Sequence, residues 1–144
     1  EALGIYVPNP KIIIYERGVR WFARNMHVSD KLLRMIVLIH EIGHWVTHQL
    51  PHKYVSTWPT EFYTKTTRKV HEGWAQIISW WIVDEIGGGL KNTFEKLNQK
   101  QSSPYQVYND LVNEDINTVI KTLEILRILN KGATLDDWFT YFKI

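Results

Sequence analysis

A chain of 144 residues is long enough to bury a core of its own and short enough to form one domain. Hydrophobic residues make up 44% and charged residues 22%, which excludes a disordered tail, and the formal net charge of +2 gives no electrostatic footing for nucleic acid despite a sequence pI of 8.8. Cysteine is absent, so disulfides, thiolate nucleophiles and thiolate-held metals are excluded, and any bound metal must take His, Asp or Glu.

No stretch reaches the ~20 apolar residues a bilayer span needs; the longest uncharged run in mid-chain, Gly73 to Val83, falls well short. The chain opens at Glu1 with no initiator Met and no basic–apolar leader, the look of a trimmed or processed piece of a longer protein. With cysteine also missing, the expected compartment is the cytoplasm.

In chain order, Gly4 to Val7, a Pro8-Asn9-Pro10 turn and Lys11 to Tyr15 read as strand, turn and strand. From Glu16 to Asn25, Tyr15, Val19, Phe22 and Ala23 recur at helical spacing, with Gly18 weakening the pattern. Ser29 or Asp30 caps a helix running to about Thr47 or His48 and stopped by Pro51. Its Met35-Ile36-Val37-Leu38-Ile39 segment is apolar on every face, so the helix is expected to be wholly buried. Residues 52–67 read as irregular or short-stranded, with Pro59 as a breaker. A second helix is expected from Thr66 or Thr67 to Ile86, terminated by Gly87-Gly88-Gly89. Ser102-Ser103-Pro104 marks another helix start, and a long amphipathic helix follows from about Glu114 to Asn130. Thr134 with Asp137 forms a capping box for a last short helix carrying Trp138, Phe139 and Phe142. The fold class is α+β, mainly helical with a small N-terminal β-sheet, in one domain over 1–144. The helices from about 104 to 144 are candidates to cover a cleft.

The first long helix carries His40-Glu41-Ile42-Gly43-His44, an H-E-x-x-H motif. One helical turn separates the two histidines, so both rings leave the same face and can converge on one ion. Glu41 lies roughly 100° around the helix, too far round to coordinate but placed to touch a water on the metal, as a general base requires. Chance would put this motif in a chain of such composition roughly 1 time in 100.

A catalytic zinc takes three protein ligands and keeps a fourth position for water. Candidates for the third are His48, His52, Glu61, His71, Glu72, Asp84 and Glu85. His48 sits one turn past His44, too far along the same axis, and the longer motif with a third His at position 50 is absent because that residue is Leu50. Glu72 is favoured, with His71 as its rival. Glu72, Ala75, Gln76, Ser79 and Val83 share one small-residue face that can press on the first helix, where Gly43 eases the approach. Trp74, Ile77, Ile78 and Trp81 form the bulky opposite face. Gln76, one turn after Glu72, can hydrogen-bond a ligand imidazole and set its tautomer.

The His40-Glu41-Ile42-Gly43-His44 motif followed by Glu72-Gly73-Trp74-Ala75-Gln76 resembles the gluzincin zinc metallopeptidases, and among them the smallest single-domain minigluzincin-type scaffolds. The likeness covers roughly Leu32 to Trp81. It implies a zincin-like fold in which an active-site helix and a glutamate helix hold one catalytic zinc ion through His40, His44 and Glu72. It implies a peptide or protein as substrate, with Glu41 taking a proton from the attacking water and passing it to the departing amine. Many thermolysin-like relatives carry an acid where this chain has Gln76, which leaves the imidazole less polarised. Relatives often add a Tyr or His donor, for which Tyr105, Tyr108, Tyr54 and Tyr63 are candidates. Substrate is expected to lie along a sheet edge such as Lys11 to Tyr15. The alternative is a zinc-binding but latent zincin-like module with a binding or regulatory role.

Overall fold

β-Branched side chains at Ile5, Val7 and Ile12 to Ile14 suit extended backbone. In the computed structural model, which describes residues 2–9, 11–49, 57–129 and 131–143, they form an antiparallel hairpin of β1 (Gly4–Val7) and β2 (Lys11–Ile14). Gly4 faces Ile14 and Val7 faces Lys11, and this pair is the whole sheet among the described residues. Everything after it is helical. Helix α1 (Glu16–Met26) forms despite Gly18 and closes with His27 in the left-handed region at φ 52°. Helix α2 (Asp30–Gln49) starts at Ser29, whose Oγ accepts from the Leu32 N–H at 3.4 Å. Pro51, His52 and Tyr54 lie outside the described residues, as do Pro10 and Asn130.

Two expectations are corrected. Residues 60–65 of the stretch read as irregular or short-stranded form helix α3 (Thr60–Lys65), and Pro59 introduces it rather than breaking it, because its φ of −55° already suits a helix entry. The glycine run ends helix α4 (Arg68–Ile86) as expected, and a helix the sequence reading did not assign follows it. Gly87 and Gly88, at φ 71° and 58°, turn the corner from which α5 (Gly88–Asn98) departs at once. Helix α2 is not buried all round: Met35, Leu38, Ile42 and Trp45, at 37–46% exposure, form a solvent-facing stripe. Apolar composition alone did not say how many neighbours the fold would supply.

Ser102 and Pro104 open α6 (Ser103–Gln106), which tightens into a 3-10 turn over Val107–Asp110. Asp115 accepts from the Thr118 N–H at 2.9 Å and starts α7 (Ile116–Leu129). The Thr134–Asp137 capping box opens α8 (Leu135–Thr140). No helix among the described residues is long and apolar enough to cross a membrane.

Two contacts place the site. On one side of α4, Gly43 of α2 meets Ala75: a Cβ built on Gly43 would stand 2.9 Å from the Ala75 Cα and 3.1 Å from its carbonyl oxygen. The helix backbones therefore pass closely enough for side chains one turn away to touch. On the other side of α4, Trp74 stacks on Trp138 with centroids 5.0 Å apart, and Gly73 admits Val107. Trp58, Trp74, Trp138 and Phe94 are the largest fully buried side chains. The bulky core thus fixes α4 from behind while its small-residue face is left for α2.

Candidate metal centre

His40 and His44 leave α2 one turn apart, each 9% exposed, and Glu72 meets them from α4. The Glu72 Oε2 atom lies 3.0 Å from His40 Nε2 and 3.5 Å from His44 Nε2. One ligand atom from each of the three residues falls within 4.8 Å of the others, so the group could hold a metal ion. The second Glu72 oxygen, Oε1, accepts from Arg68 Nε at 3.3 Å, which leaves Oε2 to the imidazoles. Behind His40, Nδ1 lies 2.9 Å from Gln76 Oε1. The outer partner expected from helical spacing is therefore where spacing put it.

The charges in this corner are set by competing effects. Burial raises the Glu72 carboxyl, yet hydrogen bonds from His40 and His44 and their charge pull it well below the usual carboxylate range. Burial lowers His44, partly offset by its hydrogen bond to Glu72. A neutral imidazole and an anionic carboxylate are the forms that bind metals.

Glu41 is buried beside the group but is not part of it. Burial pushes its carboxyl up to about 7, against the pull of His40; the Glu72 charge adds to the rise and the Tyr6 backbone N–H opposes it. Strand β1 lies directly on it, since a Cβ at Gly4 would stand 2.9 Å from Glu41 Oε1. Two cavities of about 300 and 390 Å³ adjoin here, sharing Ala2, Gly4, His40, Glu41, Arg68 and Tyr105. The strand lining them is β1. The expected edge, Lys11 to Tyr15, contributes no lining residue. No described residue beyond Tyr105 lines either cavity; α8 packs instead on Trp74 through Trp138.

The other candidates are placed elsewhere. His71 turns from the His40, His44 and Glu72 group: its Nε2–H donates to the Tyr63 carbonyl at 2.8 Å, and burial pushes its pKa down to about 4. His48 accepts from the Tyr6 hydroxyl at 2.8 Å and stacks on Tyr63. Glu61 pairs with Lys65 and Asp84 with Lys91, both at the surface, and Glu85 is exposed. Tyr108 accepts from Asn98 at 2.7 Å, and lines neither cavity beside the His40, His44 and Glu72 group. Tyr6, Tyr63 and Tyr105 line the second cavity; Tyr105 lines both, its ring 5.6 Å from that of His40 and its hydroxyl 3.3 Å from Arg68 Nη2. Arg68 escaped the sequence reading, although its position one helical turn before Glu72 was a signal for it. Comparison with protein-family models, with curated proteins and with solved structures finds no match to this chain.

Proposed function

We propose that the chain is a zinc-dependent metallopeptidase, gluzincin-like and zincin-like in fold, in which His40, His44 and Glu72 hold one zinc ion and Glu41 is the general base. The observation that carries this reading is the convergence of two imidazole nitrogens and one carboxylate oxygen, with a second buried acid beside them that is not a ligand. Tetrahedral zinc with bonds of about 2.0–2.2 Å sets its ligand atoms about 3.4 Å apart. The separations of 3.0 and 3.5 Å between Glu72 and the two rings suit that donor set.

Bound there, zinc supplies Lewis acidity, which polarises a carbonyl and makes water nucleophilic near neutral pH. The work of the chain's own groups is separate. Glu41 accepts the proton of the attacking water and returns it to the leaving amine, and a carboxyl raised toward neutrality is matched to both transfers. Arg68 holds Glu72 through Oε1 and Tyr105 through its hydroxyl, so the Tyr105 O–H is kept at the cleft as a donor for the carbonyl oxygen. Strand β1, pressed on Glu41, offers main-chain groups to an extended peptide.

Elemental analysis of the purified protein together with cleavage of an unfolded protein substrate tests this. One zinc per chain and cleavage by wild type but not by Glu41→Gln is expected. A chain that takes up no zinc when loaded refutes the reading; zinc binding without cleavage reduces it to a metal-binding module.

A further inference from the structure

An acid behind a ligand histidine has no wrong way round, whereas an amide does. If Gln76 turned its NH₂ toward His40, Nδ1 would have to become an acceptor and its proton would move to Nε2, where a metal must bind. Something must therefore orient Gln76, and the hydrogen bonds around it form a chain that ends on groups with no choice.

That chain starts at two backbone carbonyls. Gln106 Nε2 donates to the carbonyl oxygens of Asn98 at 2.6 Å and Gln101 at 3.3 Å. A carbonyl only accepts, so this amide has one allowed orientation, with Oε1 turned outward. Gln106 Oε1 accepts from Asn98 Nδ2 at 3.4 Å and from Asn109 Nδ2 at 2.9 Å. Asn98 Nδ2 also donates to the Tyr108 hydroxyl, so Asn98 Oδ1 faces the other way and accepts from Gln76 Nε2 at 3.1 Å. Gln101 Oε1 takes the second Gln76 proton at 3.0 Å. With both amide protons spent, Gln76 can only present Oε1 to His40 Nδ1, 2.9 Å away. Nδ1 must then carry a proton. The opposite nitrogen, Nε2, faces the Glu72 oxygen at 3.0 Å, on the side where a metal ion would be held.

We propose that Gln106 and Asn98, acting through Gln76, lock the proton on His40 Nδ1 and so keep Nε2 as the atom turned toward Glu72 and offered to a metal ion. Asn98 and Gln106 are positioning residues, contributed by α5 and α6 rather than by the two helices that carry the ligands. The purpose of the relay rests on the metal reading of the previous section; its hydrogen-bond logic does not.

Two measurements test it. In metal-free wild type with ¹⁵N-labelled histidine, long-range proton–nitrogen NMR should give His40 Nδ1 the shift of a protonated nitrogen. In Asn98→Leu, which frees Gln76 to turn over, that nitrogen should shift toward the unprotonated value, and zinc affinity by chelator competition should fall roughly 10-fold or more. Asn98→Asp keeps an acceptor for Gln76 and should hold affinity within about 3-fold of wild type. A bare Nδ1 in the metal-free wild type overturns the proposal without any variant having to fold. So does a folded Asn98→Leu protein with unchanged ¹⁵N shift and zinc affinity. A protonated Nδ1 in a chain that binds no zinc supports the relay while refuting the peptidase. Zinc binding by a protein whose metal-free Nδ1 is bare refutes the relay while leaving the metal site standing.

Discussion

Gly43→Ala sets two effects of known size against each other. Within a helix, Ala is favoured over Gly by about 0.8–1.0 kcal/mol. Against this, the new Cβ would stand 2.9 Å from the Ala75 Cα and 3.1 Å from its carbonyl oxygen. Ordinary carbon contacts are about 3.5–4.0 Å, so α2 and α4 must part by roughly 0.6–1 Å. Neither obstacle is the end of a flexible side chain, and overpacking of this kind costs about 1–3 kcal/mol. The net loss is at most about 2 kcal/mol, which at about 3–4 °C per kcal/mol for a chain of this size lowers Tm by up to about 7 °C. The larger effect falls on the metal. His40 and His44 sit on one helix and Glu72 on the other, at separations of 3.0 and 3.5 Å. Metal bonds tolerate about 0.2 Å, so zinc affinity should drop by at least about 10-fold. Thermal melts of the metal-free protein and chelator competition for zinc read the two effects separately. Adding Ala75→Gly removes only the 3.3 Å contact with the Ala75 Cβ, so it should restore little. A Gly43→Ala protein with raised Tm and wild-type zinc affinity would refute the close helix crossing.

Glu72→Gln keeps shape but removes charge, and should cost zinc more than the roughly 100-fold upper range of outer-shell changes, while His71→Ala stays within about 3-fold; equal losses in chelator competition would contradict the assignment. Glu41 is held at about 7 against an ordinary 4.5, so between those values the folded chain binds the extra proton and stability falls as pH rises. In metal-free protein Glu41→Gln should therefore gain up to about 3 kcal/mol over wild type at pH above 7 and little near pH 4.5, read by urea unfolding; parallel pH curves would count against the buried carboxyl. Trp138→Ala removes a 0% exposed ring stacked on Trp74 and should cost about 3–5 kcal/mol in the same assay. A loss below about 1 kcal/mol would place that ring outside the core.

The parts of the molecule that were legible from sequence are those set by local rules. The hairpin followed from β-branched runs about a proline turn, the α8 start from Thr134 and Asp137, and the pairing of Glu72 and Gln76 on one face from the 3.6-residue period. What was not legible depends on which elements meet. Gly87 to Gly89 signal that a helix ends, but a turn at positive φ can equally launch the next one, and α5 begins there. Met35, Leu38, Ile42 and Trp45 are as apolar as the buried face of α2; only the placement of the other helices leaves them outside. The choice of β1 over β2 at the cleft has the same origin, because Gly4, lacking a side chain, is what allows a strand to rest on Glu41. Asn98 and Gln106 are ordinary polar residues by composition, and their role exists only once α5 and α6 fold back on α4.

The two acids of the site are shifted in opposite directions, and by different causes. Glu72 is held as an anion whose Oε2 faces two imidazole nitrogens, while Glu41 keeps its proton chiefly because it is buried, with the Glu72 charge adding to the rise. Arg68 neutralises Glu72 on only one oxygen and is largely solvent-exposed, so it cannot balance the inner side. Replacing these groups by apolar ones of similar volume would stabilise a helix pair whose only task was packing. A divalent cation between His40, His44 and Glu72 would offset the Glu72 charge and lower the carboxyl of Glu41. Zinc uptake should therefore release protons near neutral pH, with Glu41 as their source. Titration calorimetry in buffers of different ionisation enthalpy counts them, and uptake with no proton release would mean that Glu41 does not sense the ion.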